Sequence, residues 1–232
     1  MTLVSDQEAN LLSKTLSPGE HPIHGVANGV DTQYFSPQQW DDAIPVSADD
    51  KLQSPKLVFV GVMNYPPNVE ALHWFVENVW SPLRQRYPKA NLEIVGKHPS
   101  PSILQLARHD GIEVTGAVPD VRPHVAKADM VIAPLQIARG VQNKVLEAMS
   151  MARPVVSSPD AATGIDAVDG NHLLIAQTPQ EWLTQIGRLC SEPMLRERLA
   201  TNARQLICER YTWQATLAGL DRLLTRHLPA SA

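Results

Sequence analysis

The sequence has few of the features that mark several protein classes. Only two cysteines occur in 232 residues, Cys190 and Cys208, and they form no Cys-x-x-Cys pair. We therefore expect reduced thiols in a cytoplasmic protein rather than a disulfide framework. The histidines show no metal-ligand spacing, which predicts that the protein has no metal site. No apolar run is long enough to span a bilayer and no signal-peptide pattern is present, so we expect no transmembrane helix.

Basic charge and nucleotide-binding signatures are also scarce. The chain carries 20 Lys and Arg against 24 Asp and Glu, a net charge of −4, and the basic residues are scattered. This distribution argues against non-specific nucleic-acid binding, which requires clustered basic side chains. No Gly-x-Gly-x-x-Gly follows the first predicted strand, and no Gly-Lys-Ser/Thr loop occurs. We therefore expect no nucleic acid partner and no dinucleotide or other bound cofactor.

A regular alternation of strand and helix patterns begins near residue 56. The predicted strands are residues 57–62, 92–95, 112–115, 130–134, 154–158 and 172–176. The predicted helices are residues 69–87, 102–109, 122–128, 141–151, 180–190, 194–209 and 212–227. Such alternation implies right-handed crossovers between parallel strands. The fold class is therefore predicted to be α/β, with a doubly wound, parallel, six-stranded Rossmann-like sheet covered by helices on both faces.

The first 53 residues differ from the rest. Residues 5–14 fit one short helix, and the following stretch is rich in Pro and Gly without a strand pattern longer than three residues. We interpret residues 1–53 as an N-terminal arm and linker, residues 54–210 as the ligand-binding domain and residues 211–232 as a C-terminal helix.

Residues 138–158 are the most informative segment. They read as a loop containing Gly140, an amphipathic helix and a buried strand. The N-terminus of a helix presents free N–H groups and partial positive charge, which suits a phosphate. Lys144 can neutralise a diphosphate, and Glu147, on the same helix face, can accept hydrogen bonds from ribose hydroxyls. The alternative is a surface helix with a solvated Lys and Glu at ordinary spacing.

A second segment, residues 57–68, reads as a buried strand followed by Gly61 and by a Pro-Pro-Asn that breaks the chain before the next helix. Gly61 permits a tight turn and close approach of a ligand, although a plain strand–turn–helix unit has the same pattern. Doubly wound sheets commonly have strand order 3-2-1-4-5-6 and bind ligands beyond strands one and four. Strand four leads into residues 139–147, so both segments are predicted to meet at one crevice.

Taken together, the motifs resemble the C-terminal half of glycosyltransferase family 4, which has the GT-B fold. Residues 139–147 (RGVQNKVLE) are similar to sugar transferases associated with bacterial exopolysaccharide and exosortase systems. The matching segments, in the order of the family, are residues 27–35 (ANGVDTQYF), Gly61 with Pro67 and Asn68, 92–96 (LEIVG), 114–120 (VTGAVPD), 128–134 (ADMVIAP), 144–149 (KVLEAM), 154–156 (PVV) and 211–213 (YTW).

The resemblance implies a retaining glycosyltransferase whose donor is a nucleotide-diphosphate sugar. It also implies a preceding Rossmann-like domain that holds the glycosyl acceptor. Residues 1–14 are similar to the end of that domain and residues 28–31 to the linker, so we expect a fragment that is inactive alone. The last helix is expected to cross back toward the preceding domain. The resemblance also implies a role of the full-length enzyme in polysaccharide or glycoconjugate synthesis. It is compatible with peripheral membrane association of that enzyme.

The resemblance also assigns roles to residues. Glu147 is similar to the ribose-binding glutamate, the loop after Gly116 to the loop whose backbone meets the base, and Arg139 and Lys144 are candidates for stabilising the leaving diphosphate. The chain departs from the family at Met63 and Asn64, where many members have Arg or Lys, and at Arg139, where a second glutamate is common. The expected donor-binding residues are Gly61, Asn64, Gly96, Ala117, Val118, Gly140, Val141, Gln142, Asn143 and Glu147.

Two alternative functions share these features. One is a GT-B-type nucleotide-sugar 2-epimerase, which has the same sheet and donor site but needs acid–base groups from both halves of the fold. The other is a non-catalytic, flavodoxin-like binding domain. The sequence does not separate these three functions.

Overall fold

A six-stranded parallel sheet forms the centre of the protein. The computed structural model describes residues 2–3, 9, 12–14, 23–39, 52–138 and 140–227. The sheet order is β3-β2-β1-β4-β5-β6, so the predicted order and the predicted doubly wound α/β class are confirmed. The strands are β1 Lys56–Val60, β2 Asn91–Val95, β3 Ile112–Gly116, β4 Met130–Ala133, β5 Val155–Ser157 and β6 Leu174–Ile175.

Helices alternate with these strands and surround the sheet. The helices are α1 Pro66–Phe75, α2 Ser81–Arg86, α3 Pro101–Leu106, α4 Arg122–Lys127, α5 Asn143–Ser150, α6 Pro159–Ala162, α7 Pro179–Ser191, α8 Pro193–Arg210 and α9 Trp213–His227. A π-helical turn, Val76–Trp80, joins α1 to α2, so that the two form one continuous helix. That turn packs against α7, and α5 packs against α8.

The central strands are buried on both faces, which explains their nearly continuous apolar sequences. All four residues of β4 and the middle three of β1 are buried. Beneath the helices, the fully buried Trp182 of α7 meets the ring of Phe75 edge-on, with 5.5 Å between centroids. The sheet therefore provides a rigid base whose strand ends hold the connecting loops in place.

Prolines and turns account for the main differences from the predicted boundaries. Strand β4 ends before Pro134 and β5 begins after Pro154 because proline has no N–H for the ladder. The last strand is shorter than predicted because the chain turns just before it, where the His172 N–H bonds the Val168 carbonyl at 2.9 Å. Helix α6 was not predicted, although Ser158 caps it through the N–H of Ala161 and Pro159 follows.

Part of the described N-terminal region packs against this domain. Strands Thr2–Leu3 and His24–Gly25 pair in parallel. Of the helix predicted at residues 5–14, residues 9 and 12–14 are helical and the others lie outside the described residues. Val30 is buried in the core, and its N–H donates to the Tyr211 carbonyl at 2.7 Å. The segment 23–39, predicted to lie outside the core, thus contributes a residue to it.

Candidate functional site

A cavity of about 860 Å³ opens at the carboxyl edge of the sheet, where the strand order reverses between β1 and β4. Loops after β1, β2 and β3, the first turns of α5 and one residue of segment 23–39 form its walls. The lining residues are Phe35, Val60, Gly61, Val62, Asn64, Tyr65, Pro66, Asn68, Gly96, Lys97, Ala117, Val118, Val121, Val141, Gln142, Asn143, Lys144 and Glu147.

The cavity brings together most of the residues expected from the sequence. Gly140 is buried next to it but does not line it, and its φ of 63° is in the region that favours glycine. Arg139 lies outside the described residues, so its predicted contact with the diphosphate stays a prediction. The expected residues that line the cavity are Gly61, Asn64, Gly96, Ala117, Val118, Val141, Gln142, Asn143, Lys144 and Glu147.

Two glycines, Gly61 and Gly96, let the ends of β1 and β2 approach closely. Together with Asn68 they form the bottom of the cavity, called the cavity floor below. A Cβ atom on Gly96 would lie 1.7 Å from the Gly61 carbonyl oxygen, and the φ of Gly96 is 153°. A Cβ atom on Gly61 would lie 2.7 Å from the side-chain nitrogen of Asn68 and 3.4 Å from Lys144 Nζ. Side chains at these positions would therefore displace the groups that shape the floor.

The side chain of Lys144 reaches from the first turn of α5 to this floor. Its Nζ donates to Asn68 Oδ1 at 2.5 Å and lies 4.3 Å from the centre of the Phe59 ring. Asn68 is held in turn, since its Nδ2 donates to the Val62 carbonyl at 2.9 Å. Among the described residues, no carboxylate comes within ion-pairing distance of Lys144. The described part of the cavity floor therefore holds an amino group that, when protonated, forms no ion pair.

Burial shifts the protonation of both charged residues on α5. Loss of water lowers the pKa of Lys144 to about 7, and the nearby Glu147 charge raises it in part. The same loss of water raises the pKa of Glu147 to about 7, and the Lys144 charge lowers it in part. Shifts of this kind cluster at functional sites, because burial and neighbouring charges there adjust side-chain pKa values to the chemistry of the site.

Several lining residues were not among the expected site residues. Asn68 was predicted only as part of a chain break and of a segment that resembles the family, although an amide after a strand-ending glycine is a recognisable signal. Lys97 follows the glycine that ends β2, and its position after a strand was a usable signal too. Phe35 had no such signal, because it enters the cavity from a segment distant in sequence. The other lining residues that were missed are Val60, Val62, Tyr65, Pro66 and Val121.

The described residues contain neither a metal-binding cluster nor a membrane-spanning helix. In the ranges that the structure describes, no group of three His, Cys, Asp or Glu side chains is placed to hold a metal ion. Among the same residues, no helix combines the length and apolar character that crossing a membrane requires.

Comparison with known proteins supplies independent information. The family model described as glycosyl transferases group 1 matches residues 54–192, which is more than half of the chain. A curated relative, glycosyltransferase 1 domain-containing protein 1 of Xenopus tropicalis, is 22% identical over 147 residues, covering 60% of this chain and 42% of the relative.

Solved structures share the fold. A glycosyltransferase from Rickettsia africae ESF-5 superposes with a TM-score of 0.75 at 16% identity, covering 99% of this chain and 64% of that one. Anabaena Alr3699/HepE in complex with UDP and glucose superposes with a TM-score of 0.74 at 15% identity. The superposition covers 97% of this chain and 62% of the Anabaena chain. The chain thus spans less than two thirds of the length of each of these proteins, and it matches the Rossmann-like half of the GT-B fold.

Proposed function

The chain belongs to the glycosyl transferases group 1 family, and on this basis we propose that its cavity binds the nucleotide-diphosphate sugar donor of a glycosyltransferase. In this proposal the sugar passes to an acceptor with retention of configuration. Retention follows from the resemblance to family 4, and the anomeric signal of the product in NMR tests it. The related Anabaena protein has been solved in complex with UDP and glucose and with UDP-glucose, which supports this class of ligand.

The position of Lys144 is the observation that carries the proposal. Its ammonium group is held by Asn68 beside Gly61. The residue itself lies on the first turn of α5, an eight-residue helix whose N-terminus has no side-chain cap. A diphosphate would satisfy both the unpaired cation and the helix N–H groups at once. A solvated surface lysine, the alternative open at the sequence level, would not be held against the cavity floor.

The geometry also suggests how the chain's residues act on the donor. When the bond between the anomeric carbon and the diphosphate oxygen breaks, negative charge collects on the leaving diphosphate. In the proposed complex Lys144 and the start of α5 oppose that charge, which lowers the barrier. Glu147, one turn further along α5, accepts hydrogen bonds from the ribose hydroxyls.

The acceptor side of the cleft is proposed to come from a further domain. The relatives are longer than this chain, and α9 begins with exposed apolar residues, Trp213 at 49% and Leu217 at 39%. We propose that α9 crosses toward that domain, and that this chain alone binds donor without transferring sugar. An association with exopolysaccharide synthesis, a cytoplasmic location and peripheral membrane contact belong to the same proposal. The first and the last rest on the resemblance alone, and the cytoplasmic location rests on the scarcity of cysteines.

Titration of the isolated chain with UDP, GDP and ADP tests the donor site. With one wall of the cleft available, we expect dissociation constants of about 0.1–1 mM, with NMR shifts concentrated near Gly61 and Glu147. Absence of binding by all three nucleotides would contradict the proposal. In a longer protein containing this chain, the products separate the alternatives: a glycoside indicates transfer, and an epimerised donor indicates the 2-epimerase.

Replacing Glu147 by alanine tests the ribose contact. We expect Glu147→Ala to weaken nucleoside diphosphate binding by about 1–3 kcal/mol, because a carboxylate that accepts two hydroxyl bonds contributes about that much. Binding is measured by calorimetry, and the melting temperature is recorded in parallel. Glu197→Ala, which removes an exposed glutamate on α8, is the matched control. A collapse of the melting temperature in Glu147→Ala alone would instead assign Glu147 a structural role.

A further inference from the structure

The side chain of Asn28 bonds the first residue of α5. Its Nδ2 donates to Asn143 Oδ1 at 3.1 Å, and the two residues are 115 positions apart in sequence. Asn143 lines the cavity and directly precedes Lys144, whereas Asn28 does not line the cavity. Residues 54–210 were predicted to form the ligand-binding domain, so this bond brings a residue from outside that range to the edge of the site.

Contacts with the start of α9 fix the backbone next to Asn28. The Val30 N–H donates to the Tyr211 carbonyl at 2.7 Å, and Val30 is buried. A Cβ atom on Gly29 would lie 2.8 Å from the Cα atom of Trp213, so the chain passes directly against the helix there. Asn28 therefore reaches α5 from a segment whose position is already defined, and its bond to α5 costs little additional conformational entropy.

This bond determines which side of the Asn143 amide is turned to a ligand. A carboxamide has an oxygen that only accepts hydrogen bonds and, on the other side of the group, an NH2 that only donates them. Because Asn28 bonds the oxygen of Asn143, the NH2 group is the side that a ligand in the cavity can reach. Asn143 is the first residue of α5, so its NH2 group lies where the helix N–H groups and Lys144 also favour an anion.

We propose that Asn28 is a positioning residue, which turns the NH2 group of Asn143 toward the diphosphate of the donor. The inference rests on the proposed function and adds to it a residue that acts through another side chain. An amide whose oxygen has no partner can rotate by half a turn and present that oxygen, which repels phosphate. With Asn28 in place, the orientation that donates to an anion also satisfies the oxygen, so the amide is oriented for the ligand before the ligand binds.

Replacement of Asn28 by alanine and by aspartate tests the inference, with UDP and inorganic pyrophosphate as ligands. Asn28→Ala removes the donor, and we expect about threefold weaker binding of both ligands, which corresponds to the loss of one neutral hydrogen bond. Asn28→Asp replaces the donor by an acceptor, so the NH2 group of Asn143 turns to residue 28 and the oxygen turns to the phosphate. We expect about tenfold weaker binding of both ligands in that variant.

The same substitutions in an Asn143→Ala background separate this orienting effect from other effects. With the amide absent, Asn28→Ala should not change the affinity for either ligand, and Asn28→Asp should keep only the loss that its negative charge causes and that salt screens. The NMR signal of the Asn143 side-chain NH2 provides a second readout. It should shift when pyrophosphate is added to the unaltered protein, and in Asn28→Asp it should be shifted before any ligand is added.

Three results would overturn the inference while leaving the proposed function standing. The first is that Asn28→Ala binds UDP and pyrophosphate as tightly as the unaltered protein does. The second is that Asn28→Ala loses the same affinity in the Asn143→Ala background, because Asn28 would then act without the amide. The third is an Asn143 NH2 signal that does not respond to pyrophosphate. Unaltered protein that binds neither UDP nor pyrophosphate would overturn the proposed function and, with it, the inference.

Discussion

Replacement of Lys144 by methionine is expected to lower nucleoside diphosphate affinity about a hundredfold. Lys144 Nζ is fixed at the cavity floor by Asn68 and lies near Gly61, where the proposed diphosphate binds. Removing one partner of a desolvated charge pair typically costs about 2–5 kcal/mol, and each 1.4 kcal/mol corresponds to about a tenfold change in affinity. Methionine has a similar length and no charge, so the loss measures the cation rather than the filling of space.

The same substitution is expected to stabilise the ligand-free protein. Burial lowers the pKa of Lys144 to about 7, below the value of about 10.4 in an unfolded chain. The charged form therefore destabilises the folded state, fully so below pH 7, and this destabilisation is relieved as the pH rises from about 7 to about 10.4. Lys144→Met removes it at the expense of one hydrogen bond to Asn68. We expect a melting temperature a few degrees higher at about pH 6.

Calorimetric titration with UDP and thermal unfolding at about pH 6 measure the two effects. Lys127→Met, which removes an exposed lysine at the end of α4, is the matched control and should change neither quantity. Unchanged UDP affinity in Lys144→Met would contradict the assignment of this cation to the diphosphate. A lower melting temperature would show that the hydrogen bond to Asn68 outweighs the burial of the charge.

The sequence predicted the elements and residues whose signals are local. Strands β1 and β4 were predicted because buried parallel strands are nearly continuous apolar runs, and the sheet order followed from the order that doubly wound sheets commonly have. Gly61, Lys144 and Glu147 follow strand ends at the reversal of that order, so topology alone predicted that they share a cavity.

Contacts between distant segments could not be predicted in this way. The bond from Lys144 to Asn68 joins positions 76 residues apart, and the bond from Ser150 to Phe35 joins positions 115 apart. Neither pair has a periodic pattern that marks it, because each depends on how the loops meet above the sheet. The contribution of segment 23–39 to the cavity was missed for the same reason: Pro and Gly spacing describes a linker but not the surface on which it packs.

Donor affinity is expected to fall about twentyfold between pH 6.5 and pH 8.5. Lys144, with a pKa of about 7, carries most of its charge at the lower pH and little at the higher one, whereas a bound diphosphate would hold it protonated. Glu147 also has a pKa of about 7. As it ionises, it accepts ribose hydroxyls more strongly but repels the diphosphate, and these effects oppose each other. The titration of Lys144 therefore sets the slope.

UDP-glucose is the appropriate probe for this measurement. Its diphosphate is esterified at both ends, whereas UDP has a terminal phosphate that titrates at about pH 6 and would add its own dependence. Calorimetry near pH 8 in two buffers of different ionisation enthalpy should show uptake of nearly one proton on binding, because free Lys144 is mostly neutral at that pH. Lys144→Arg, which stays charged throughout the range, should bind with a nearly flat pH profile, and Lys144→Met should bind weakly at every pH. A steep profile that persists in both variants would assign the titration to Glu147 instead, since that group is the other one in the cavity whose pKa burial brings to about 7.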